Sequence, residues 1–164
     1  MSLRVGLVSI GNGMALTLQF CIQSMTVIRA IMPPACCGSA PPVQSLLLTG
    51  DLEQRVERML VAERGDRLRS DILVAGHHGS ATSTSTAFLA AVDPAWVLYS
   101  SGYANRWGFP VASVRERVQT QGARVAGTAM DGALSFVLPA TGALSAPQRA
   151  RDQDRRIWRH RPER

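Results

Sequence analysis

The sequence predicts an α/β domain. Two short apolar runs, Leu46–Leu48 and Ile72–Ala75, have the length and composition of buried strands. The residues between them have the apolar spacing of an amphipathic helix, so the segment reads as a strand-helix-strand unit. Asp51 follows the first run, and His77 and His78 follow the second. In α/β proteins, chemistry is concentrated at such strand ends.

The predicted elements follow in order along residues 45–139. Ser45–Gly50 is the first strand and Leu52–Glu63 the first helix, with Asp51 at its N-cap. Pro94 stops the second helix, and Gly122 closes the third. The other predicted elements are strands at 72–75, 95–100, 123–128 and 134–138 and helices at 86–92 and 111–121, with an Asp131-Gly132 turn between the last two strands.

Composition divides the chain into three segments. Its 164 residues are enough for one domain with a core. Its net charge is +6, and all of its positive side chains at pH 7 are arginines, since lysine is absent. This basic balance permits nucleic acid as a partner. We predict an atypical N-terminal segment at 1–44, a folded domain at 45–139 and a basic disordered tail at 140–164, in which residues 149–164 carry seven arginines.

The N-terminal segment shows no pattern of a membrane span or a metal site. Polar residues interrupt the apolar stretch Met14–Met32, so no span is predicted there. A signal peptide is not predicted either, because the charged start and the continuous apolar region are poor. Cys21, Cys36 and Cys37 fit no zinc spacing and are odd in number for disulfides, so we interpret them as structural.

The side chains after the two predicted strands suit metal-assisted hydrolysis of a phosphodiester. Two Zn²⁺ or Mn²⁺ ions neutralise the phosphate and deprotonate water, and such ions prefer a bridging carboxylate and imidazoles. Asp51 fits the bridge and His77 a terminal ligand. His78 is either a second ligand or a group that contacts substrate, and Ser80 offers a hydroxyl or caps the next turn. The alternative for Asp51 is a helix N-cap without a chemical role.

Five motifs resemble the C-terminal metallo-β-lactamase-fold domain of the ComEC family, the DNA-uptake channels of natural competence. They lie in family order and spacing across residues 45–139. The motifs are Leu47-Leu48-Thr49-Gly50-Asp51, His77-His78-Gly79-Ser80, Ser101-Gly102-Tyr103-Ala104-Asn105-Arg106-Trp107-Gly108, Gly122-Ala123-Arg124-Val125 and Asp131-Gly132-Ala133. The resemblance implies the second half of the αβ/βα sandwich of that fold, in an incomplete form.

The resemblance also implies a partner, a cofactor and roles for residues. The partner would be DNA and the cofactor a divalent metal, Zn or Mn, with no small-molecule cofactor. The implied roles are metal ligation by Asp51 and His77, catalysis by His78 and Asn105, and substrate binding by Ser80 and Arg106. Family members are inner-membrane proteins that pass single-stranded DNA inward, and this domain is thought to lie outside the cytoplasm as a nuclease.

Two departures from the family pattern bear on activity. The first ligand cluster of the family, an H-x-D-x-D-H loop upstream of the Thr-Gly-Asp strand, is absent from this sequence. Asp51, His77 and His78 alone cannot hold two metal ions. The family's later loop often reads N-R-x-G-H-P, whereas Phe109 takes the histidine position here. Phenylalanine neither ligates a metal nor moves a proton, so we expect no hydrolysis by this chain alone.

A frame shift explains the composition of residues 1 to about 43. Back-translated and read from the third codon base, Ile10–Ala15 permits W-E-W-D-G, and Gln19–Gln23 permits V-L-H-P. Ala30–Cys37 permits N-N-A-S-C in the same way. These strings resemble the segment that precedes Thr-Gly-Asp in the family. We therefore interpret residues 1–44 as out-of-frame translation, with a genuine N-terminus as the alternative.

The sequence is compatible with three functions. The first is a fragment of the metallohydrolase domain of a DNA-uptake protein, separated from its inner-membrane channel domain and inactive alone. The second is a non-catalytic nucleic-acid-binding remnant that uses the arginine-rich tail. The third is a free-standing metallo-β-lactamase-fold hydrolase. Without a membrane span or signal peptide, the fragment is expected in the cytoplasm. A half sandwich is also expected to expose one apolar face of its sheet.

Overall fold

The computed structural model describes residues 45–136 and 144–153, together with the backbone of three short strands earlier in the chain. The strands are β1 (Leu3–Gly6), β2 (Thr17–Phe20), β3 (Ile28–Ile31), β4 (Ser45–Leu48), β5 (Ile72–Val74), β6 (Trp96–Tyr99), β7 (Arg124–Gly127), β8 (Leu134–Ser135) and β9 (Gln148–Arg149). The helices are α1 (Gln54–Arg64), α2 (Thr86–Val92), α3 (Ala112–Thr120), α4 (Thr128–Asp131) and α5 (Ala150–Gln153), with 3-10 turns at Gly65–Leu68 and Gly76–Gly79.

A five-stranded sheet in the order β3-β4-β5-β6-β7 forms the centre of the fold. Strands β4 to β7 run parallel, while β3 pairs antiparallel with β4 at one edge. Parallel neighbours need a crossover, and α1, α2 and α3 supply the helical part of these connections. The predicted α/β class is confirmed: a parallel four-strand sheet is flanked by helices.

The two faces of the sheet are covered by different parts of the chain. Side chains alternate along each strand, so successive residues of one strand belong to two separate cores. One core joins the sheet to α1, α2 and α3 and includes Leu47, Leu73, Val97, Phe88, Leu89, Val114 and Val118. The other core joins the opposite face to residues near the C-terminus and includes Leu46, Ile72, Trp96, Leu98, Leu134, Phe136 and Leu144.

The expected exposure of one sheet face is wrong for the described residues. The strand side chains of the second core are buried: Leu46, Leu48, Ile72, Val74, Trp96 and Leu98. Phe136 packs edge-on against Trp96, with ring centroids 5.8 Å apart. Leu134, Phe136 and Leu144 of the C-terminal part pack against this face, for which the sequence suggested no cover.

The first helix begins later than predicted and turns a different face to the core. Its N-cap is Glu53 rather than Asp51, so the helix-capping alternative for Asp51 is wrong. Asp51 lies exposed in the turn that precedes the helix. The spacing of Leu52, Val56, Met59 and Leu60 predicts an apolar face that includes Met59, yet Met59 is 53% exposed and Glu57 is buried. The chain turns before the helix starts, since the N–H of Leu52 donates to the carbonyl of Thr49 at 3.2 Å.

The predicted turn at Asp131-Gly132 does not join two paired strands. β7 pairs with β6, β8 pairs with β9, and α4 separates β7 from β8. The carboxylate of Asp131 accepts a hydrogen bond from the N–H of Gly127 at 3.0 Å. It also lies 3.4 Å from Nε of Arg149. The carboxylate thus ties the end of β7 to the C-terminal segment.

Part of the predicted disordered tail has regular structure. Strand β9 and helix α5 lie within it, at Gln148–Arg149 and Ala150–Gln153. Disorder is therefore the wrong prediction for residues 148–153. Residues 137–143 and 154–164 lie outside the described residues, and so do the side chains of 1–44. The cysteine interpretation and the frame-shift hypothesis concern the latter and stay predictions.

Candidate functional site

The turns after β4 and β5 meet at one edge of the sheet. The backbone N–H of His77 donates to the carbonyl of Gly50 at 2.8 Å, which joins the Gly-Asp turn to the His-His turn. The approach requires glycine at position 76, because a Cβ there would lie 2.5 Å from the carbonyl oxygen of Leu52. The structure therefore brings His77 beside the turn that carries Asp51.

His77 and His78 hold an unusual backbone conformation. Their φ angles are +45° and +59°, in the left-handed region that costs non-glycine residues energy. The side chain of His77 is 37% exposed, and its Nδ1 lies 3.2 Å from Oε1 of Glu53 without the geometry of a hydrogen bond. Two consecutive strained residues at a strand end are typical of functional turns.

The ring of His78 is oriented by the backbone. Its Nδ1 lies 2.6 Å from the carbonyl oxygen of Ser100, at the end of β6. A carbonyl oxygen only accepts, so Nδ1 carries the proton and donates it. In the neutral ring, Nε2 then keeps its lone pair as a proton acceptor or metal ligand. A histidine that donates its other N–H to a carbonyl is the usual arrangement of a metal-binding imidazole.

The described residues do not make a complete metal centre. Within 45–136 and 144–153 there is no group of three or more His, Cys, Asp or Glu side chains placed to hold a metal ion. A catalytic zinc ion needs about three protein ligands. His78 has the orientation of a ligand. The predicted ligands Asp51 and His77 do not form such a group among the described residues, even with the Glu53 carboxylate 3.2 Å from His77. The residues present therefore do not fit the metal pair that the family resemblance implies.

Asn105 organises the loop that follows β6. Its amide donates to the carbonyls of Gly102 at 3.0 Å and Phe109 at 2.7 Å. Its Oδ1 accepts the N–H of Phe109 at 2.9 Å. The side chain thus fixes the path of the loop from residue 102 to 109. The predicted catalytic role of Asn105 stays a prediction beside this positioning role.

Ser80 lies buried inside the serine- and threonine-rich loop between β5 and α2. Its Oγ is 2.8 Å from Oγ1 of Thr82 and accepts the Thr82 N–H at 3.2 Å. Oγ1 of Thr82 donates to Oε1 of Glu53 at 3.2 Å. The Ser80 hydroxyl therefore supports the loop, and its predicted contact with substrate stays a prediction.

The carboxylate of Glu57 and the guanidinium of Arg117 both bind backbone groups of the same loop. Glu57 is 1% exposed and accepts hydrogen bonds from the backbone N–H groups of Thr84 and Ser85, the latter at 2.9 Å. Nη1 of Arg117 donates to the carbonyls of Ser83 at 3.1 Å and Thr84 at 2.8 Å. Sequence reasoning missed both residues. A signal for Glu57 existed, because it lies between Val56, Leu60 and Val61 on one helix face.

Phe109, at the position where the family often has histidine, lies between the imidazoles and the loop tip. Its ring centroid is 5.8 Å from that of His77 and 6.4 Å from that of His78. Trp107 stacks with Phe109, with ring centroids 6.3 Å apart and an angle of 12° between the planes. Arg106 places its guanidinium 4.2 Å from the centre of the Trp107 ring. Phe109 thus links the histidines to an exposed aromatic tip.

Tyr99 lies beneath the site with its hydroxyl shielded from water. It is 3% exposed, and its hydroxyl has no hydrogen-bond partner among the described residues. Burial raises the pKa of Tyr99 to about 12, against the lowering effect of the positive charges of Arg115 and Arg117. Its ring borders Gly79, where an added Cβ would lie 3.0 Å from Cδ1 of Tyr99. The Tyr99 ring therefore packs against the His-His turn at Gly79.

We expect Tyr99 to make the fold sensitive to alkali. The folded-state pKa of about 12 exceeds the ordinary value of 10.0, so below pH 10.0 the phenol is neutral in both states. Above it the unfolded chain ionises first, and stability falls by about 2–3 kcal/mol as pH rises toward the folded pKa. Urea unfolding at stepped pH should show this loss in the native chain and a flatter profile in Tyr99→Phe.

The exposed tyrosine provides the control for this experiment. Tyr103→Phe removes the other tyrosine, which is exposed in the loop after β6, and should leave the alkaline loss in place. At neutral pH, Tyr99→Phe should be as stable as the native chain or more stable, because it removes an unpaired buried hydroxyl. An alkaline loss of equal size in Tyr99→Phe would contradict the assignment.

The chain is similar to Competence protein ComA of Neisseria gonorrhoeae. The two are 47% identical over 94 residues, which make up 57% of this chain and 14% of the relative. Recombination protein 2 of Haemophilus influenzae is 43% identical over 54% of the chain and 11% of its own length. ComE operon protein 3 of Bacillus subtilis is 34% identical over 56% of the chain and 12% of its own length.

These relatives confirm part of the predicted resemblance. Homologues of the ComEC family cover about 55% of the chain at 34–47% identity. The chain spans about one seventh or less of the length of these relatives, since 11–14% of each is covered. No protein-family model matches the chain, and no solved structure matches it either. The metallo-β-lactamase part of the resemblance stays a prediction.

A membrane-spanning helix was expected only in the longer parent protein. Among the described residues, every helix is too short or too polar to cross a bilayer.

Proposed function

We propose that this chain is part of a bacterial DNA-uptake protein and that the His77-His78 edge binds the sugar-phosphate backbone of DNA. The similarity to a protein named for competence supports the process. The observation that carries the proposal is the hydrogen bond from His77 to Gly50, which brings two strand-end turns to one edge. Such edges are where α/β proteins bind ligands.

The same edge would belong to a hydrolase site in the complete parent. His78, with Nδ1 held by the Ser100 carbonyl, presents a nitrogen suited to ligation or proton transfer. Further ligands would come from the upstream loop that the family resemblance implies and this sequence lacks. Since the described residues hold no group of three ligands, we propose that this chain alone does not hydrolyse DNA.

Three measurements on the purified chain test the proposal. Fluorescence anisotropy with a labelled single-stranded oligonucleotide should show binding that weakens as salt rises, because phosphate contacts release counterions. Gel analysis after incubation with Zn²⁺ or Mn²⁺ should show the DNA uncut. Metal analysis after dialysis should find substoichiometric metal. Absence of DNA binding would contradict the proposal.

Two further outcomes identify the alternative functions. DNA cleavage with stoichiometric metal would favour a free-standing metal-dependent hydrolase. The nucleic-acid-binding remnant is tested by truncation after Gln153, which removes the five arginines of residues 154–164. If DNA affinity and its salt dependence disappear with these residues, the tail rather than the histidine edge is the binding element. If affinity is unchanged, the tail makes no contact.

A further inference from the structure

Four planar groups form a continuous row from the site to the surface. In order they are the imidazole of His78, the ring of Phe109, the indole of Trp107 and the guanidinium of Arg106, and we call this row the aromatic ladder. Phe109 lies at 25° to the His78 ring and at 12° to the Trp107 ring, while the His77 ring meets it edge-on at 62°. The spacings of 6.4 Å and 6.3 Å between ring centroids are those of offset stacking.

The outer end of the aromatic ladder is open to solvent. Trp107 is 61% exposed, which makes it the most exposed large hydrophobic side chain among the described residues. Hydrogen bonding within the loop accounts for the path of its backbone, since the Asn105 side chain fixes residues 102–109 with three hydrogen bonds. It does not account for an indole left largely in water. Aromatic side chains are enriched at binding surfaces relative to the rest of a protein surface.

The charge beside the exposed ring favours an anionic partner. Arg106 is exposed, and its guanidinium lies 4.2 Å from the centre of the Trp107 ring. An indole and a guanidinium plane are the two kinds of surface on which unpaired nucleobases stack. The arginine also supplies a positive charge for a neighbouring phosphate. In a duplex the base faces are already stacked on each other, so this chemistry selects unpaired bases.

We propose that the outer end of the aromatic ladder, formed by the stacked planes of Trp107 and Arg106, is a stacking site for unpaired nucleobases. A strand held there would continue along the row toward His78. The inference rests on the proposed function in one respect, since it takes nucleic acid as the ligand. It goes further by assigning a base-contacting residue and a preference for single strands over duplexes.

The test compares oligonucleotides that differ only in their bases. The probes are a fluorescein-labelled oligothymidylate of about twelve nucleotides, within the site sizes of known stacking proteins, and an abasic strand of equal length. A duplex of the same length is the third probe. The full chain should bind the oligothymidylate more tightly than the abasic strand and the duplex. An oligouridylate distinguishes DNA from RNA, and the tighter of the two identifies the natural source of the bases.

Variants of Trp107 test whether tight binding of oligothymidylate depends on the aromatic ladder. Trp107→Ala should weaken oligothymidylate binding by about 5- to 150-fold, the range of losses when one stacked aromatic residue is removed. Trp107→Phe should retain most of the affinity and lose the quenching of tryptophan emission that accompanies binding. Met59→Ala removes another exposed apolar side chain, on α1 and far from the loop in sequence. It should change neither the affinity for oligothymidylate nor the quenching of tryptophan emission. Circular dichroism confirms that each variant is folded.

The outcomes separate this inference from the proposed function. Equal binding of the abasic strand and the oligothymidylate would overturn stacking while leaving DNA binding intact. Unchanged affinity in Trp107→Ala would overturn it as well. Binding of none of the probes would overturn both proposals. A change of oligomeric state in Trp107→Ala, without a change in affinity, would identify the exposed ring as a contact between copies of the chain and also overturn stacking.

Discussion

Replacing Glu57 by alanine is expected to destabilise the domain by about 2–4 kcal/mol. The carboxylate is 1% exposed and accepts the backbone N–H groups of Thr84 and Ser85. The truncated side chain leaves both donors without this acceptor. Thr84 is fully buried, where an unpaired donor carries its full desolvation cost, while Ser85 is half-buried. Urea unfolding followed by circular dichroism measures the change in the free energy of unfolding.

Two further variants give this prediction its controls. Glu57→Gln keeps one acceptor oxygen but turns an NH₂ group toward the second donor, so it should lose about half as much stability as alanine. Glu63→Ala removes an exposed acid from the same helix and should change stability by less than about 0.5 kcal/mol. Equal effects of Glu57→Ala and Glu63→Ala would show that the buried carboxylate does not hold the loop.

Replacing Gly79 by alanine is expected to cost more than the same change at Gly122. The two glycines have nearly the same φ, +83° and +84°, so alanine meets the same backbone strain at both. A Cβ at position 79 would lie 2.7 Å from Cβ of Pro110 and 3.0 Å from the Tyr99 ring. At position 122 it would meet no atom within 4 Å. The pair therefore separates strain from steric overlap.

The expected sizes follow from these surroundings. Gly122→Ala should cost about 1–2 kcal/mol from the left-handed backbone alone. Gly79→Ala should cost a further amount of about 1–3 kcal/mol, because Pro110 and Tyr99 must move apart. It should also displace the His77-His78 turn, since the Gly79 carbonyl accepts the N–H of Val111 at 3.0 Å. Equal destabilisation of the two variants, measured by urea unfolding, would mean that the turn absorbs the added atom without strain.

The strands and helices of the domain were largely predictable from local sequence. The second helix occupies Thr86–Val92 as predicted, because Ser85 caps it and Pro94 cannot continue it. The strand centres agree for the same reason: short apolar runs bounded by glycine and proline have few alternatives. The start of the first helix was missed because the chain first turns between Thr49 and Leu52 and enters the helix only at Gln54, where Glu53 makes no side-chain cap.

The candidate site was predictable only as a set of side chains at neighbouring strand ends. The meeting of the turn at Gly50 with His77 follows from the parallel register of β4 and β5, which the apolar runs already suggested. The burial of Glu57 did not follow, because a charged residue on a helix is usually exposed and its partners lie far away in sequence. The orientation of His78 depends on Ser100 in the same way.

By itself, the sequence determined the α/β class, the order of the elements, the placement of Asp51, His77 and His78 after strand ends, and the resemblance to DNA-uptake proteins. These properties depend on apolar periodicity, turn residues and motif order, all of which are local. Only the tertiary structure decided which face of the first helix is buried, how the second sheet face is covered and which planar groups align from His78 to Trp107. Each of these depends on contacts between residues distant in the chain, where packing and hydrogen bonding select one of several locally acceptable arrangements.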